Sequence, residues 1–392
     1  MLTSLGLIFL SGLIMGKIFE LLKLPSLIGR IIAGMILGPY LLDLLDPSIL
    51  EISGDLRQLA LIIILTRAGL SLDLNDLKKL GRPALLLCFL PACLEIVGFV
   101  LFAPRLLGLT ILEAAIMGSV IAAVSPAIVV PRMISLIEGS YGRKNSIPQL
   151  IMAAASVDDV FVIILFAGFT SLAMGASISA MDLVEVPLSI VLGIIVGVMA
   201  GLLVIKLFRL FKIGGTNKLI IILSISFLLL ELEKILANIV GMSGLLSIMT
   251  LGLVISRARP KLATELASKY NRLWLGAEIL LFVLVGASLD LNYLLGAGIP
   301  AILMILIGLG FRMLAVYISL LKTRLSRREK IFSMIAYTPK ATVQAAIGSI
   351  PLTMGLACGQ DVLSLAVLSI LITAPLGAIG IDSLYNKLLE VE

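Results

Sequence analysis

The sequence predicts an all-α polytopic membrane protein with about thirteen transmembrane helices. Three observations carry that prediction. The 392 residues are 60% hydrophobic and only 14% charged, with a mean hydropathy of +1.17, a composition that soluble domains do not show. Nearly the whole length divides into apolar runs of about 20 residues, enough for a helix to cross a bilayer. The basic residues between those runs then sort to one side of the membrane.

In chain order the runs lie near 2–22, 25–43, 56–72, 82–104, 111–136, 148–174, 184–211, 217–235, 238–256, 273–291, 298–321, 329–354 and 361–382. The first lacks a basic leading region, and its lysines Lys17 and Lys23 come late. It therefore reads as a retained helix with its N-terminus outside. That choice fixes the side of every loop. Of the 30 basic residues, Arg57, Arg105 and Lys234 fall outside, and Arg67, Arg312 and Lys340 fall within apolar runs. The other 24 fall on the inner side, with the C-terminus. An asymmetry of that size is the positive-inside pattern, and a miscounted helix would scramble it. The expected location is a bacterial inner membrane. The net charge of +6 is thus a topology signal and implies no nucleic-acid partner. Inner-face bases such as Arg257, Arg259 and Lys261 read first as topology signals and second as a site for anionic lipid.

The chain also repeats itself. Ser71-Leu-Asp-Leu-Asn75 recurs as Ser288-Leu-Asp-Leu-Asn292, an offset of 217. Glu95 and Arg312 stand at the same offset, and Ser125-Pro126 matches Thr338-Pro339 at 213. The copies are seven spans apart. An odd number inverts the second copy in the membrane, as in many secondary transporters. Two spans are broken at matching places. One reads Ala122-Ala-Val-Ser-Pro-Ala-Ile-Val-Val-Pro131, the other Ala336-Tyr-Thr-Pro-Lys-Ala-Thr-Val-Gln-Ala345. Proline removes a backbone donor, and paired broken helices point to a transporter's binding site. Lys340 beside Pro339 is expected to offset half-helix dipole ends, leaving freed carbonyls to face a cation.

Asp158 and Asp159 lie side by side in an otherwise apolar run. Lipid cannot solvate a carboxylate, so intramembrane acids face protein or a wet cavity and are functional by default. Neighbours on a helix point about 100° apart. One acid should meet the ion and the other a partner charge. Hard monovalent cations prefer such oxygen ligands, and a carboxylate that takes either a cation or a proton exchanges them by competition. Glu95 and Arg312 are expected to form a structural ion pair. Swapping their charges together should then restore stability that each single change loses. Arg67 reads as a snorkelling residue, and Gly193, Gly197 and Gly201 as a close helix contact, within or between subunits. The chain has no histidine and three cysteines. Cys88 and Cys93 share one apolar run, which argues against a disulfide framework or metal cluster.

The motifs Ala123-Val-Ser-Pro-Ala-Ile-Val-Val-Pro131, Ala154-Ala-Ser-Val-Asp-Asp-Val160 and Thr338-Pro-Lys-Ala-Thr-Val-Gln-Ala-Ala346 resemble the cation/proton antiporter superfamily. They are most similar to its NHA-type sodium/proton exchangers, over essentially the whole chain. The resemblance implies an NhaA-like fold with two crossed broken helices, marked here by Pro126 and Pro339. It implies a homodimer whose core helices (56–174 and 273–382) move against scaffold helices (1–43 and 184–256) in an elevator-like cycle. It assigns the ion, Na⁺ or Li⁺, to Asp159 with Asp158 in support, and places Ser125 and Thr342 near the crossing. No cofactor is implied; the transported species are the cation and H⁺. One departure stands out. Electrogenic relatives with two aspartates carry lysine where this chain has Arg312. Arginine stays protonated, which leaves electroneutral exchange open. With Arg312 taken by Glu95, Lys340 is the lysine left for Asp158. A potassium/proton antiporter would use the same acids. An intramembrane aspartyl protease needs acids that share a proton across a site, and here both sit on one helix. A channel fits an inverted repeat and a titratable pair poorly.

Overall fold

The computed structural model describes residues 1–71, 74–142, 144–174, 182–211, 213–236 and 242–391. Among them the secondary structure is helical, apart from one isolated bridge between Tyr141 and Val391. In chain order the helices are α1 (Leu2–Leu21), α2 (Ser26–Leu37), α3 (Pro47–Glu51), α4 (Ser53–Ser71), α5 (Leu74–Leu107), α6 (Ile111–Ile121), α7 (Pro126–Glu138), α8 (Ile147–Met174) and α9 (Asp182–Leu210). They continue with α10 (Gly215–Leu236), α11 (Gly244–Ala258), α12 (Pro260–Ala287), α13 (Leu291–Ser319), α14 (Arg327–Ala336), α15 (Thr342–Ile347), α16 (Ile350–Thr353) and α17 (Gly359–Leu388). Eight segments among the described residues are long and apolar enough to cross a membrane. They are α1, Gly81–Leu107, Ile111–Glu138, α8, Val191–Leu210, α12, Gly298–Ser319 and α17.

Of the helix limits that differ from expectation, two have a clear physical reason. The run 25–43 stops as a helix at Leu37, because Pro39 two residues on cannot continue it. The run 273–291 begins as a helix at Pro260. Proline is pre-organised for the first helical turn, and the Lys269–Glu265 pair (2.8 Å, i,i+4) supports the added turns. Lys261, Lys269 and Arg272 are therefore helix residues. Part of the first SLDLN copy (Leu72 and Asp73), Arg143 and Lys212 lie outside the described residues. Between α2 and α3, Asp46 caps the short helix by accepting from Ser48 N–H (2.9 Å) and Ser48 Oγ (2.6 Å). Those bonds hold its carboxyl at about 2, so the cap persists down to strongly acid pH and fails only below that.

The chain forms two compact units. One comprises 1–54, 74–162 and 279–392; the other comprises 55–73 and 163–278.

Lipid tails are as apolar as leucine, so helices in a bilayer associate by close packing of small residues. In the second unit a Cβ added to Gly197 would lie 2.5 Å from the Ser247 carbonyl oxygen, and one on Gly193 would lie 2.7 Å from that of Ser243. Ser247 Oγ donates to the Gly193 carbonyl at 2.9 Å. The glycine ladder is thus an α9–α11 contact within this chain. In the first unit, Gly34 abuts the Val283 carbonyl and Gly286 the Ile31 carbonyl, so α2 and the end of α12 meet backbone to backbone.

The first unit also carries an echo of the repeat. Helices α5 and α13 pack against each other. Each kinks at a glycine with positive φ, Gly81 (70°) and Gly298 (51°), two residues before a proline, Pro83 and Pro300. The two kinks are 217 residues apart, the offset that relates Glu95 to Arg312. Only glycine takes such angles without strain.

Candidate functional site

Two helix interruptions in the first unit build the site. The first follows α6, which a Thr110–Glu113 capping box starts. Helical structure lapses over 122–125 and resumes with Ser125 as N-cap and Pro126 in the first turn of α7. Proline suits that position because its missing N–H has no intrahelical partner there anyway. The second follows α14, started by a Ser326–Glu329 capping box, and covers 337–341 before α15 begins. Pro339 lies inside it. Unpaired backbone groups in a membrane interior cost several kcal/mol each, so their partners define the local structure.

The interruptions satisfy one another. Ser125 N–H donates to the Pro339 carbonyl at 2.8 Å. The Gln344 amide nitrogen donates to the carbonyls of Ile121 (3.0 Å) and Ala123 (2.9 Å). Lys340 N–H donates to Thr373 Oγ1 on α17 at 3.0 Å.

Arg312 lies at the centre, fully buried. Its Nε donates to the Tyr337 carbonyl at 2.8 Å. One terminal nitrogen donates to Glu95 Oε2 at 3.0 Å and to the Ala122 carbonyl. The other donates to Asp158 Oδ2 at 2.6 Å. The Tyr337 ring lies 5.5 Å from the guanidinium carbon. Ala122 and Tyr337 are the C-caps of α6 and α14. One guanidinium therefore offsets the negative ends of both half-helices, a placement that favours a cation. Its rigid fork allows this where an ammonium could not.

Asp158 is fully buried and also accepts from Val124 N–H at 2.9 Å. Lys340 Nζ is 2.7 Å from Glu95 Oε1. The buried charges form a connected set, Lys340–Glu95–Arg312–Asp158, of two cations and two anions that sum to zero. Asp159 stands outside it. It is partly exposed, and among the described residues it forms no ion pair; its Oδ1 is a buried atom without a hydrogen-bond partner. Ser125 Oγ, Thr342 Oγ1 and Asp158 Oδ1 are likewise buried without a partner.

The geometry corrects three expectations. Arg312 does not choose between Glu95 and Asp158; it binds both. Lys340 therefore pairs with Glu95 and leaves Asp158 to arginine, and Arg312 takes the half-helix role expected of Lys340. The carbonyls of 121–123 accept from Gln344 and Arg312. A Glu95/Arg312 charge swap would set a carboxylate against Asp158 and those carbonyls, so its expected restoring effect does not follow. Gln344 and Tyr337 were missed as site residues. The available signal was a lone amide in the apolar run after Pro339.

Two helix interruptions tied by reciprocal hydrogen bonds, beside a connected set of four buried charges, are the kind of arrangement that secondary transporters place at their binding sites. The comparisons with known proteins agree. The family described as "Sodium/hydrogen exchanger, transmembrane" matches residues 6–387. The chain is 32% identical to sodium/hydrogen exchanger 9B2 of Homo sapiens over 98% of its own length and 74% of the relative's. It is 31% identical to human sodium/hydrogen exchanger 9B1, over 98% and 78%. Its fold is similar to that of the sodium proton antiporter MjNhaP1 from Methanocaldococcus jannaschii, solved at pH 8, with a TM-score of 0.83, 22% identity, and coverage of 99% and 98% of the two chains. The protein belongs to the sodium/hydrogen exchanger family.

Proposed function

We propose that the protein exchanges Na⁺, or Li⁺, for H⁺ by alternating access, with Asp159 as the carboxylate both occupy in turn. The single observation that carries this reading is the charge count: Asp158 is matched by Arg312, and Asp159 has no matching cation among the described residues. A surplus carboxylate in a low-dielectric interior needs a proton or a metal cation. Ser125 Oγ, Thr342 Oγ1 and the free Asp158 oxygen are the uncommitted oxygens that would complete a hard-cation site. Asp158 supports the site through its bond to Val124 N–H. One surplus carboxylate, with arginine locked in four contacts, supports an electroneutral one-for-one exchange.

The wider organisation belongs to the same proposal. Thirteen spans in an inverted repeat, with crossed broken helices, are supported by the Gly81/Gly298 kinks and by the reciprocal bonds between 121–125 and 337–344. The charge asymmetry of the loops supports an outer N-terminus and a cytoplasmic C-terminus. The homodimer, the elevator-like motion of a core against a scaffold, and anionic lipid at the inner-face bases rest on the resemblance and on charge alone. Potassium exchange through the same acids is the second reading, and the sodium in the relatives' names favours the first.

The test is proteoliposome exchange. With an acid interior, external Na⁺ or Li⁺ is expected to collapse the pH gradient, K⁺ to do so far less, and a clamped voltage to leave the rate unchanged. Collapse by K⁺ at the sodium rate would favour the second reading.

A further inference from the structure

Three successive carbonyls at the end of α6 accept side-chain donors, Ile121 and Ala123 from Gln344 and Ala122 from Arg312. Gln344 is only 1% exposed, and both of its bonds run from one interrupted span to the other. In sequence, Ala123 lies two residues before Ser125 and Gln344 two residues after Thr342. The Ser125 N–H to Pro339 bond ties the same two segments again. The end of α15 is itself fixed, because Gly348 abuts the Gln344 carbonyl and the Ala366 side chain. Arg312 holds the half-helix ends by charge and belongs to the ion-pair set. Gln344 holds them by neutral bonds alone and carries no charge into the site.

We infer that Gln344 is a positioning residue for cation binding: its amide fixes the spacing between the two interruptions and so the separation of Ser125 Oγ from Thr342 Oγ1. This deepens the proposed function and rests on it. A binding constellation needs its groups held to within about 0.5 Å, and hydroxyls on two separate half-helices have no covalent means of keeping that spacing. Gln344 supplies two N–H donors directed at two carbonyls. Methionine would fill a similar volume and supply none. Glutamate would keep the shape and supply one donor only when protonated; ionised, it would repel both carbonyls.

The experiment compares wild type, Gln344→Met and Gln344→Glu in proteoliposomes, with Na⁺ as the probe across a pH series. Gln344→Met is expected to raise the KM for Na⁺ about tenfold, the effect of leaving buried carbonyls unpaired, at all pH values. The rate of Gln344→Glu relative to wild type is expected to climb as pH falls, as the protonated acid restores a donor. A group that merely fills space would give no such rescue. Wild-type sodium KM in Gln344→Met, or a Gln344→Glu to wild-type ratio that is flat with pH, overturns the inference. If Gln344→Met fails to fold, the pH ratio of Gln344→Glu decides alone. Either negative result alongside an inactive Asp159→Asn removes only the role of Gln344. An active Asp159→Asn removes the reading beneath it.

Discussion

Replacing Asp159 with asparagine is expected to leave a folded protein that no longer couples sodium to protons. The change keeps the size of the side chain and leaves the four buried charges of Lys340, Glu95, Arg312 and Asp158 untouched. It removes the carboxylate beside that set that has no ion-pair partner among the described residues. An amide still offers a neutral oxygen to a cation, so sodium binds weakly, but it does not bind a proton in the physiological range, so the competition that couples the two is lost. Sodium-driven collapse of a pH gradient should fall to the level of empty liposomes, while thermal stability in detergent stays near wild type. Asp158→Asn should differ. It leaves the Arg312 guanidinium short of its 2.6 Å partner, so it should lower stability as well as exchange. Normal exchange by Asp159→Asn would remove that residue from the transport step.

The largest loss of stability is expected from Arg312→Met. The guanidinium closes the ends of α6 and α14 and pairs with two acids while wholly buried. Removing one partner of a buried ion pair costs about 3–5 kcal/mol, mostly because the other charge is left uncompensated. Here the loss would leave Asp158 with Val124 N–H as its remaining hydrogen-bond donor among the described residues, so its carboxylate is stranded in the interior or must take up a proton. Adding Asp158→Asn to Arg312→Met should therefore recover part of the thermal midpoint, since it removes the stranded acid. Lys340→Met should cost less, because Glu95 keeps its bond to Arg312. Arg312→Lys should rescue only in part, as a point charge cannot reach two carbonyls and two carboxylates in fixed directions. A wild-type melting temperature for Arg312→Met, or no recovery in the double variant, would contradict this account of the charge set.

Much of this arrangement was legible in the residues, and the exceptions have physical causes. Intramembrane charge is expensive, so Glu95, Asp158, Asp159, Arg312 and Lys340 announced themselves against their apolar surroundings. Prolines at 126 and 339 pointed to the interruptions, because each stands beside small polar residues at matching places in two apolar runs; proline alone does not break a helix here, since Pro91, Pro131 and Pro375 lie inside α5, α7 and α17. The pairing of the charges was less legible. Sequence spacing suggests one partner per residue, whereas a guanidinium has five donors, and only the geometry reveals that Arg312 spends four contacts on two helices and two breaks. Gln344 was hidden for another reason: a neutral amide in an apolar run looks like an ordinary tolerated polar residue until its two carbonyl partners are seen. The start of α12 at Pro260 was missed because charged residues mask the hydrophobic period there. The Gly81 and Gly298 kinks could have been read from the shared G-x-P pattern at the offset of 217. Glycine and proline are so common in loops that the pattern carries weight only once both φ values are known to be positive.

The central claim is that a sodium ion and a proton compete for one carboxylate, Asp159. Sodium affinity measured across a pH series on the purified protein tests it most directly. Below the titration of that carboxylate, the apparent Kd for sodium should weaken by about tenfold for each unit of pH, the linkage expected when one proton excludes one ion. Asp159→Asn should bind weakly and without pH dependence. A wild-type sodium Kd that stays constant from acid to alkaline pH would contradict the account.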